Sequence, residues 1–269
     1  MPRAAQPAPL NVLITGASSG IGEALAHCFA RDGHRLVLVA RGEARLRALA
    51  ATLHAEHGTR ADVLAVDLAQ LDAVTGLAAT LRRKRRRVDV LVNNAGVLEQ
   101  GAFSRIGAAR HQRLIDLNVS ALTELLAAFL PAMVARGSGR VLNVASIAAF
   151  QPVPGLATYA ATKAYVLSLT ESLAEELRGS GVSITALCPG ITATPMLDNA
   201  SAGNDRLAQL PGFLIGEVNE VAEAGYRACL AGEVIVVPGL VNRAATLAAG
   251  ATPKWLLRRI AGVLGRNVI

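Results

Sequence analysis

Short runs of apolar residues alternate with longer stretches in which apolar positions recur every three or four residues, and this holds along most of the chain. Asn11–Thr15, Arg35–Ala40, Asp62–Val66, Asp89–Val92, Arg140–Ala145, Ser183–Leu187 and Glu233–Val237 read as strands. Several are apolar at consecutive positions, as strands buried on both faces of a parallel sheet must be. Helical patterns lie between successive strands, strongest over Ala44–Glu56, Ala108–Ala135 and Ala157–Arg178. Strand and helix in regular succession predict a doubly wound α/β fold. No linker, composition break or internal repeat divides the pattern. A single domain over 1–269 is expected, with a flexible tail at 1–9.

Composition adds little to that and removes some alternatives. A length of 269 residues with a hydrophobic fraction of 52% suits one domain with a large core. No stretch reaches the roughly 18 uncharged apolar residues that cross a bilayer. Met1–Pro9 lacks the apolar region of a secretion signal, so a cytoplasmic protein is expected. Cys28, Cys188 and Cys229 are far apart and read as buried free thiols. No metal site is expected, and His54 and His57, three apart on a helix, read as a surface pair. The net charge of +7 is concentrated in Arg82-Arg83-Lys84-Arg85-Arg86-Arg87 and near the carboxyl terminus. A basic run can mark nucleic-acid binding. This one follows a helical pattern and carries no aromatic residues, so it reads as a solvated helix end and no nucleic-acid partner is expected.

The chemistry enters at the ends of the strands. The first strand runs into Thr15-Gly16-Ala17-Ser18-Ser19-Gly20-Ile21-Gly22 and then a helical run. Such a turn lets backbone N–H groups approach a pyrophosphate at the helix N-terminus. Its spacing is G-x-x-x-G-x-G, not the general G-x-G-x-x-G. The second strand ends without the acid that would hold a ribose 2′-hydroxyl, and Arg41 follows. A guanidinium suits a 2′-phosphate, which favours NADP(H) over NAD(H). Asp67-Leu68 closes the third strand, where it would meet the adenine edge or cap the next helix. Asn93-Asn94-Ala95-Gly96 follows the fourth, on the edge where such sheets bind ligands.

Tyr159 and Lys163 are four apart on a helix and so share one face. An ammonium beside a phenol favours the phenolate, so Lys163 is expected to lower the Tyr159 pKa and make it an acid/base catalyst. Ser146, at the end of the fifth strand, is placed to hold a carbonyl or alcohol oxygen. Asn118 lies inside the long helical run, where asparagine is mildly unfavourable. After the sixth strand, Pro189-Gly190-Ile191-Thr192-Ala193-Thr194-Pro195 is a turn whose backbone and threonine hydroxyls point at a carboxamide, and 191–215 reads as a substrate loop.

Together these motifs resemble the short-chain dehydrogenase/reductase family, in its order and spacing, over about 11–195. The resemblance implies a Rossmann domain of about seven parallel strands with helices on both faces, moving a hydride between NAD(P) and a carbonyl or alcohol. It implies Tyr159 as general acid/base and Ser146 as holder of the substrate oxygen. Lys163 would acidify the tyrosine and bind the nicotinamide ribose, and Asn118 would hold a water in the proton relay. Gly16, Ser18, Ser19, Gly20, Ile21 and Gly22 would meet the pyrophosphate, Arg41 the 2′-phosphate, and Asp67 and Leu68 the adenine. Asn94, Ala95 and Gly96 would face the cofactor ribose, and Pro189, Gly190, Thr192 and Thr194 the nicotinamide end. Two departures stand out. Ser19 is not the basic residue some NADP users carry, and Thr192 replaces a β-branched aliphatic residue.

The segment 240–269 is the variable part, and Lys254–Leu264 is amphipathic and basic. It is expected to pack on the domain or a partner subunit, with an anionic membrane surface as the lesser alternative. Phe103, Ile147, Phe150, Ile191 and Phe213 suggest an apolar pocket. The expected partners are a small carbonyl or alcohol substrate and other copies of the chain, as a homodimer or homotetramer. A non-catalytic NADP(H)-sensing or scaffold protein on the same fold is the alternative to an enzyme.

Overall fold

In the computed structural model, residues 8–195 and 215–265 are described. Seven strands form one sheet: β1 (Asn11–Thr15), β2 (Arg35–Ala40), β3 (Ala61–Ala65), β4 (Val90–Asn93), β5 (Gly139–Val144), β6 (Val182–Leu187) and β7 (Ile235–Val236). They are parallel throughout, in the order β3-β2-β1-β4-β5-β6-β7. The order reverses between β1 and β4. Ile14 lies in register with Leu38 on one side and Val92 on the other. At such a switch point the crossover helices leave to opposite faces, and a crevice opens at the carboxyl ends of the two strands.

Side-chain alternation divides the core into two layers. Val12, Ile14, Leu36, Leu38, Val90 and Val92 face α1 (Gly20–Arg31), α2 (Glu43–His57) and, further along the chain, α7 (Val218–Ala231). Leu13, Val37, Val39, Leu91 and Val141 face α3 (Ala73–Arg83), α5 (Ala121–Ala135) and α6 (Ala157–Glu176). A strand with no polar position between its apolar ones can form only where both faces are covered. α1 and α7 are further joined by Phe29 and Tyr226, edge to face with centroids 4.9 Å apart, and by the Tyr226 hydroxyl donating to Asp32.

The run expected as one helix over Ala108–Ala135 is broken. α4 (Ala108–Ile115) passes into a π-turn at Asp116–Ser120 before α5 begins. The extra residue in that turn fits the capture of Asn118 by the neighbouring loop, described below. By length and composition this run is also the one helix among the described residues that could cross a membrane. Its apolar side, including Leu122, Leu125 and Met133, is instead buried against the sheet.

The basic run ends α3, with Arg82 and Arg83 in the last turn. Arg86 pairs with Asp62 at 2.9 Å and Arg87 with Asp89 at 2.7 Å. The three cysteines are buried free thiols, and burial pushes Cys28 up to about 11 and Cys188 and Cys229 up to about 12. The carboxyl-terminal segment forms α8 (Leu240–Ala251) and α9 (Lys254–Gly265), and α8 packs against the turn Ile147–Phe150. Most of the tail at 1–9, most of the substrate loop 191–215 with Phe213, and the end of the 240–269 segment lie outside the described residues.

Candidate active site

The glycine-rich turn is held by one threonine. Thr15 Oγ1, at the end of β1, donates to Val92 O at 3.1 Å and accepts from the N–H groups of Asn94 (3.0 Å) and Ala95 (3.1 Å). Asn94 Nδ2 then donates to Thr15 O at 3.0 Å and Gly16 O at 3.1 Å. Both N–H donors of Asn94 are therefore used inside the protein, and only its oxygen remains free to meet a ribose. Asn94 thus fastens the glycine-rich turn to the loop after β4, with its oxygen left for the ribose. Gly16 and Gly20 both have positive φ, 65° and 60°. A Cβ at Gly22 would stand 2.4 Å from Gly16 O and 2.4 Å from Asn94 Nδ2, so no larger residue fits. Ser19 is extended at the N-cap of α1 and makes no side-chain capping bond. The first-turn N–H groups of α1 thus have no side-chain partner there, as an anion site requires.

Arg41 is exposed at the end of β2, close enough to help hold Asp67 down. Burial works to raise the Asp67 carboxyl, but the Ala69 N–H and the Arg113 guanidinium, 3.1 Å away, outweigh it, and the group lies below its ordinary value. Two cations that sequence reasoning missed stand here. Arg113 comes from α4, and Arg45 lies with its Nε 3.3 Å from a Cβ position at Gly42. Arg45 lies in the first turn of α2, just after Arg41 and Gly42, and its nearness in sequence could have pointed to it. Arg113 is brought in only by the fold. The Leu68 side chain is buried in the core, so only its backbone can face a ligand.

Below the switch point a buried polar chain joins three elements. Asn93 Nδ2 donates to Asn143 Oδ1 at 2.9 Å, and Asn143 Nδ2 donates to Thr170 Oγ1 at 2.9 Å. The chain ties β4 and β5 to α6, the helix that carries Tyr159 and Lys163. At the top of α6, Thr162 Oγ1 donates to Tyr159 O at 2.7 Å and accepts from Asn118 Nδ2 at 3.2 Å. Asn118 also donates to Val97 O at 3.0 Å, and its Oδ1 accepts from Val97 N at 2.9 Å. Both Asn118 donors are spent. The side chain is a clasp between the π-turn, the loop after β4 and α6. Gly96 passes between, since a Cβ there would be 3.2 Å from Asn118 Oδ1 and 3.6 Å from Lys163 Nζ.

Tyr159, Lys163 and Ser146 come together as expected, but their electrostatics differ. Lys163 Nζ donates to Val144 O at 2.8 Å and stands 5.7 Å from the Tyr159 ring centroid. Its ammonium is thus directed at the end of β5, not at the phenol. Burial is the larger influence on both groups. It raises the Tyr159 phenol, with a hydrogen bond to Ser146 pulling the other way, and it lowers Lys163 to about 8, which Cys188 below opposes. The expected acidification of Tyr159 by Lys163 is not found, because desolvation of a phenolate outweighs a cation that is itself desolvated. Ser146 Oγ accepts from Ala148 N at 3.1 Å, which orients the hydroxyl, and Ile147 N donates to Pro189 O at 2.9 Å, which ties Ser146 to the turn after β6.

In that turn Thr192 Oγ1 donates to Gly190 O (3.1 Å) and Thr194 Oγ1 to Thr192 O (3.3 Å), leaving their lone pairs to accept. The Thr194 methyl lies 3.1 Å from a Cβ position at Gly20, so this arm closes over the glycine-rich turn. A Cβ at Gly190 would be 2.5 Å from Asn242 Nδ2, which brings α8 onto the same turn. Phe103 is exposed and stacks on His111 at 4.2 Å, and His111 Nδ1 is 2.9 Å from Thr158 Oγ1, beside Tyr159. Phe150 packs against the core instead.

Comparison with known proteins bears on the family and the fold. The sequence pattern of the short chain dehydrogenase family matches residues 10–205. A 3-oxoacyl-[acyl-carrier-protein] reductase of Synechocystis is 36% identical over 211 residues, 78% of this chain and 85% of that protein. A short-chain dehydrogenase from Sphingobium yanoikuyae, solved in complex with NADPH, is 40% identical with a TM-score of 0.80, over 89% of this chain and 92% of that one. A bulky-bulky ketone specific alcohol dehydrogenase from Comamonas testosteroni is 33% identical with a TM-score of 0.75, over 91% and 95%. With its motifs gathered at one switch point and most of its length matched, the chain belongs to the short-chain dehydrogenase/reductase family of oxidoreductases.

Proposed function

We propose that the protein is an NADPH-dependent carbonyl reductase. The observation that carries this is Tyr159, a buried phenol held above its ordinary value, with Ser146 beside it pulling the other way. Such a phenol keeps its proton at neutral pH, which is the state a general acid for reduction requires. The fit of a dinucleotide rests on the turn at Gly16–Gly22, whose backbone a Cβ would block, and on the side-chain-free N-terminus of α1. Those groups would hold the pyrophosphate, and Arg41 with Arg45 would hold a 2′-phosphate. When bound, NADPH supplies a hydride to the carbonyl carbon. Ser146 holds the carbonyl oxygen, Tyr159 gives it a proton, and Lys163 presents its ammonium at the end of β5. Thr15, Asn94, Asn118 and Thr162 position these groups. The NADPH complex of the Sphingobium relative and the ketone specificity of the Comamonas relative support the same cofactor and substrate class.

The purified protein is expected to oxidise NADPH in the presence of an apolar ketone or aldehyde. Arg41→Ala should weaken NADPH binding on the order of ten- to hundredfold, as loss of a charge-assisted contact does, and leave NADH binding unchanged. Equal weakening of both, or of neither, would remove Arg41 from cofactor selection.

The reduction rate carries a pH signature. Tyr159, raised, stays protonated, whereas Lys163, lowered to about 8, gives up its charge as pH rises through that value. Reduction is therefore expected to be level below that pH and to fall above it. A profile of kcat against pH that stays flat through this range would contradict a role for the ammonium.

A further inference from the structure

On the sequence His57 pairs with His54, one helical turn away, but the fold gives it another partner. The ends of α1 and α2 lie side by side and bring His57 to His27, with Glu56 between them. His27 Nδ1 is 3.3 Å from Glu56 Oε2, and His57 Nε2 is 3.6 Å from the same oxygen. The three ligand atoms all lie within 4.8 Å of one another, and the imidazole rings meet edge to face with centroids 6.1 Å apart.

These separations are long for charge-assisted hydrogen bonds, which run at about 2.7–2.9 Å. They match something else. Donors bound at about 2.0–2.1 Å around a tetrahedral centre stand roughly 3.3–3.4 Å apart. We propose that His27, Glu56 and His57 form a site for a divalent transition ion of the zinc type, with the remaining coordination position open to solvent. Two imidazoles and a carboxylate are donors that such ions accept and that calcium and magnesium do not favour.

The neighbouring groups leave these three as the available ligands. Glu223, on the same groove, is engaged by Arg31 at 3.1 Å and Arg227 at 2.7 Å. The Cys28 thiol is turned to Glu223 Oε2, 3.7 Å away, and is not among the three donors that converge. Glu56 therefore supplies the negative charge. An ion here ties the carboxyl-terminal half of α1 to the end of α2, and α1 is the helix whose other end forms the anion-binding turn.

The test is titration of the full-length, tag-free protein with Zn²⁺ by calorimetry, with thermal unfolding followed in parallel. One ion per chain and a higher Tm with zinc are expected. Glu56→Gln and the double variant His27→Ala/His57→Ala should keep the zinc-free Tm and lower the affinity on the order of tenfold or more, as ligand loss does. His54→Ala should leave it unchanged. Co²⁺ should give visible absorption bands that the double variant loses. The proposal is overturned by a wild-type protein with no saturable one-to-one site. It is equally overturned by a double variant that binds as the wild type does, or by loss of binding on His54→Ala.

Discussion

Tyr159→Phe is expected to lower carbonyl reduction on the order of 10²–10⁴-fold while NADPH binding and the fold are retained. The magnitude is that of removing a positioned general acid. The fold survives because the ring, not the hydroxyl, does the packing. Tyr159 lies in a small apolar cluster with Leu114, Ala148 and Ala160, which phenylalanine fills equally well. What is lost is the hydroxyl and its interaction with Ser146, a small contribution beside the packing of the ring. Ser146 keeps its contact with Ala148 N, so its hydroxyl stays aimed. Steady-state reduction with NADPH titrated separately by fluorescence distinguishes the two effects. Turnover equal to the wild type would refute the assignment of the acid, and a variant that neither binds nor turns over would show that the hydroxyl serves the cofactor site instead.

Gly22→Ala is expected to lose NADPH binding and to lower stability by about 1–3 kcal/mol, as overpacking does. The added Cβ would stand 2.4 Å from a backbone oxygen and 2.4 Å from an amide nitrogen that is itself held by two bonds. Neither can retreat without moving the turn from β1 to α1. Gly76→Ala is the control, because nothing lies within 4 Å of a Cβ there and the residue sits inside α3. A helix-interior glycine replaced by alanine should gain about 0.5–1 kcal/mol and leave NADPH binding alone. Thermal unfolding and NADPH titration of the two variants side by side decide the matter. If Gly22→Ala matches wild type in both, the close approach of α1 to the loop after β4 is not what shapes the cofactor site.

The chain's own order of residues was enough for the sheet, because strands covered on both faces are apolar at most consecutive positions and are hard to mistake. β1 and β2 begin and end where the apolar runs do, and the other strands lie within one or two residues of theirs. The residues that meet at the cleft were also readable, since Gly16–Gly22, Asn93–Gly96, Ser146, Tyr159 and Lys163 sit next to strand ends or one helical turn apart. Their duties were not. Whether the amide N–H groups of Asn94 and Asn118 reach a ligand or the backbone depends on which carbonyls the fold brings close, and the protein claims the N–H groups of both while leaving the Asn94 oxygen free. Whether a lysine acidifies a tyrosine depends on how much water each has lost, which no spacing records. Arg113 beside Asp67 and His27 beside His57 join elements distant along the chain, so only the packing of helices on a closed sheet could bring them together.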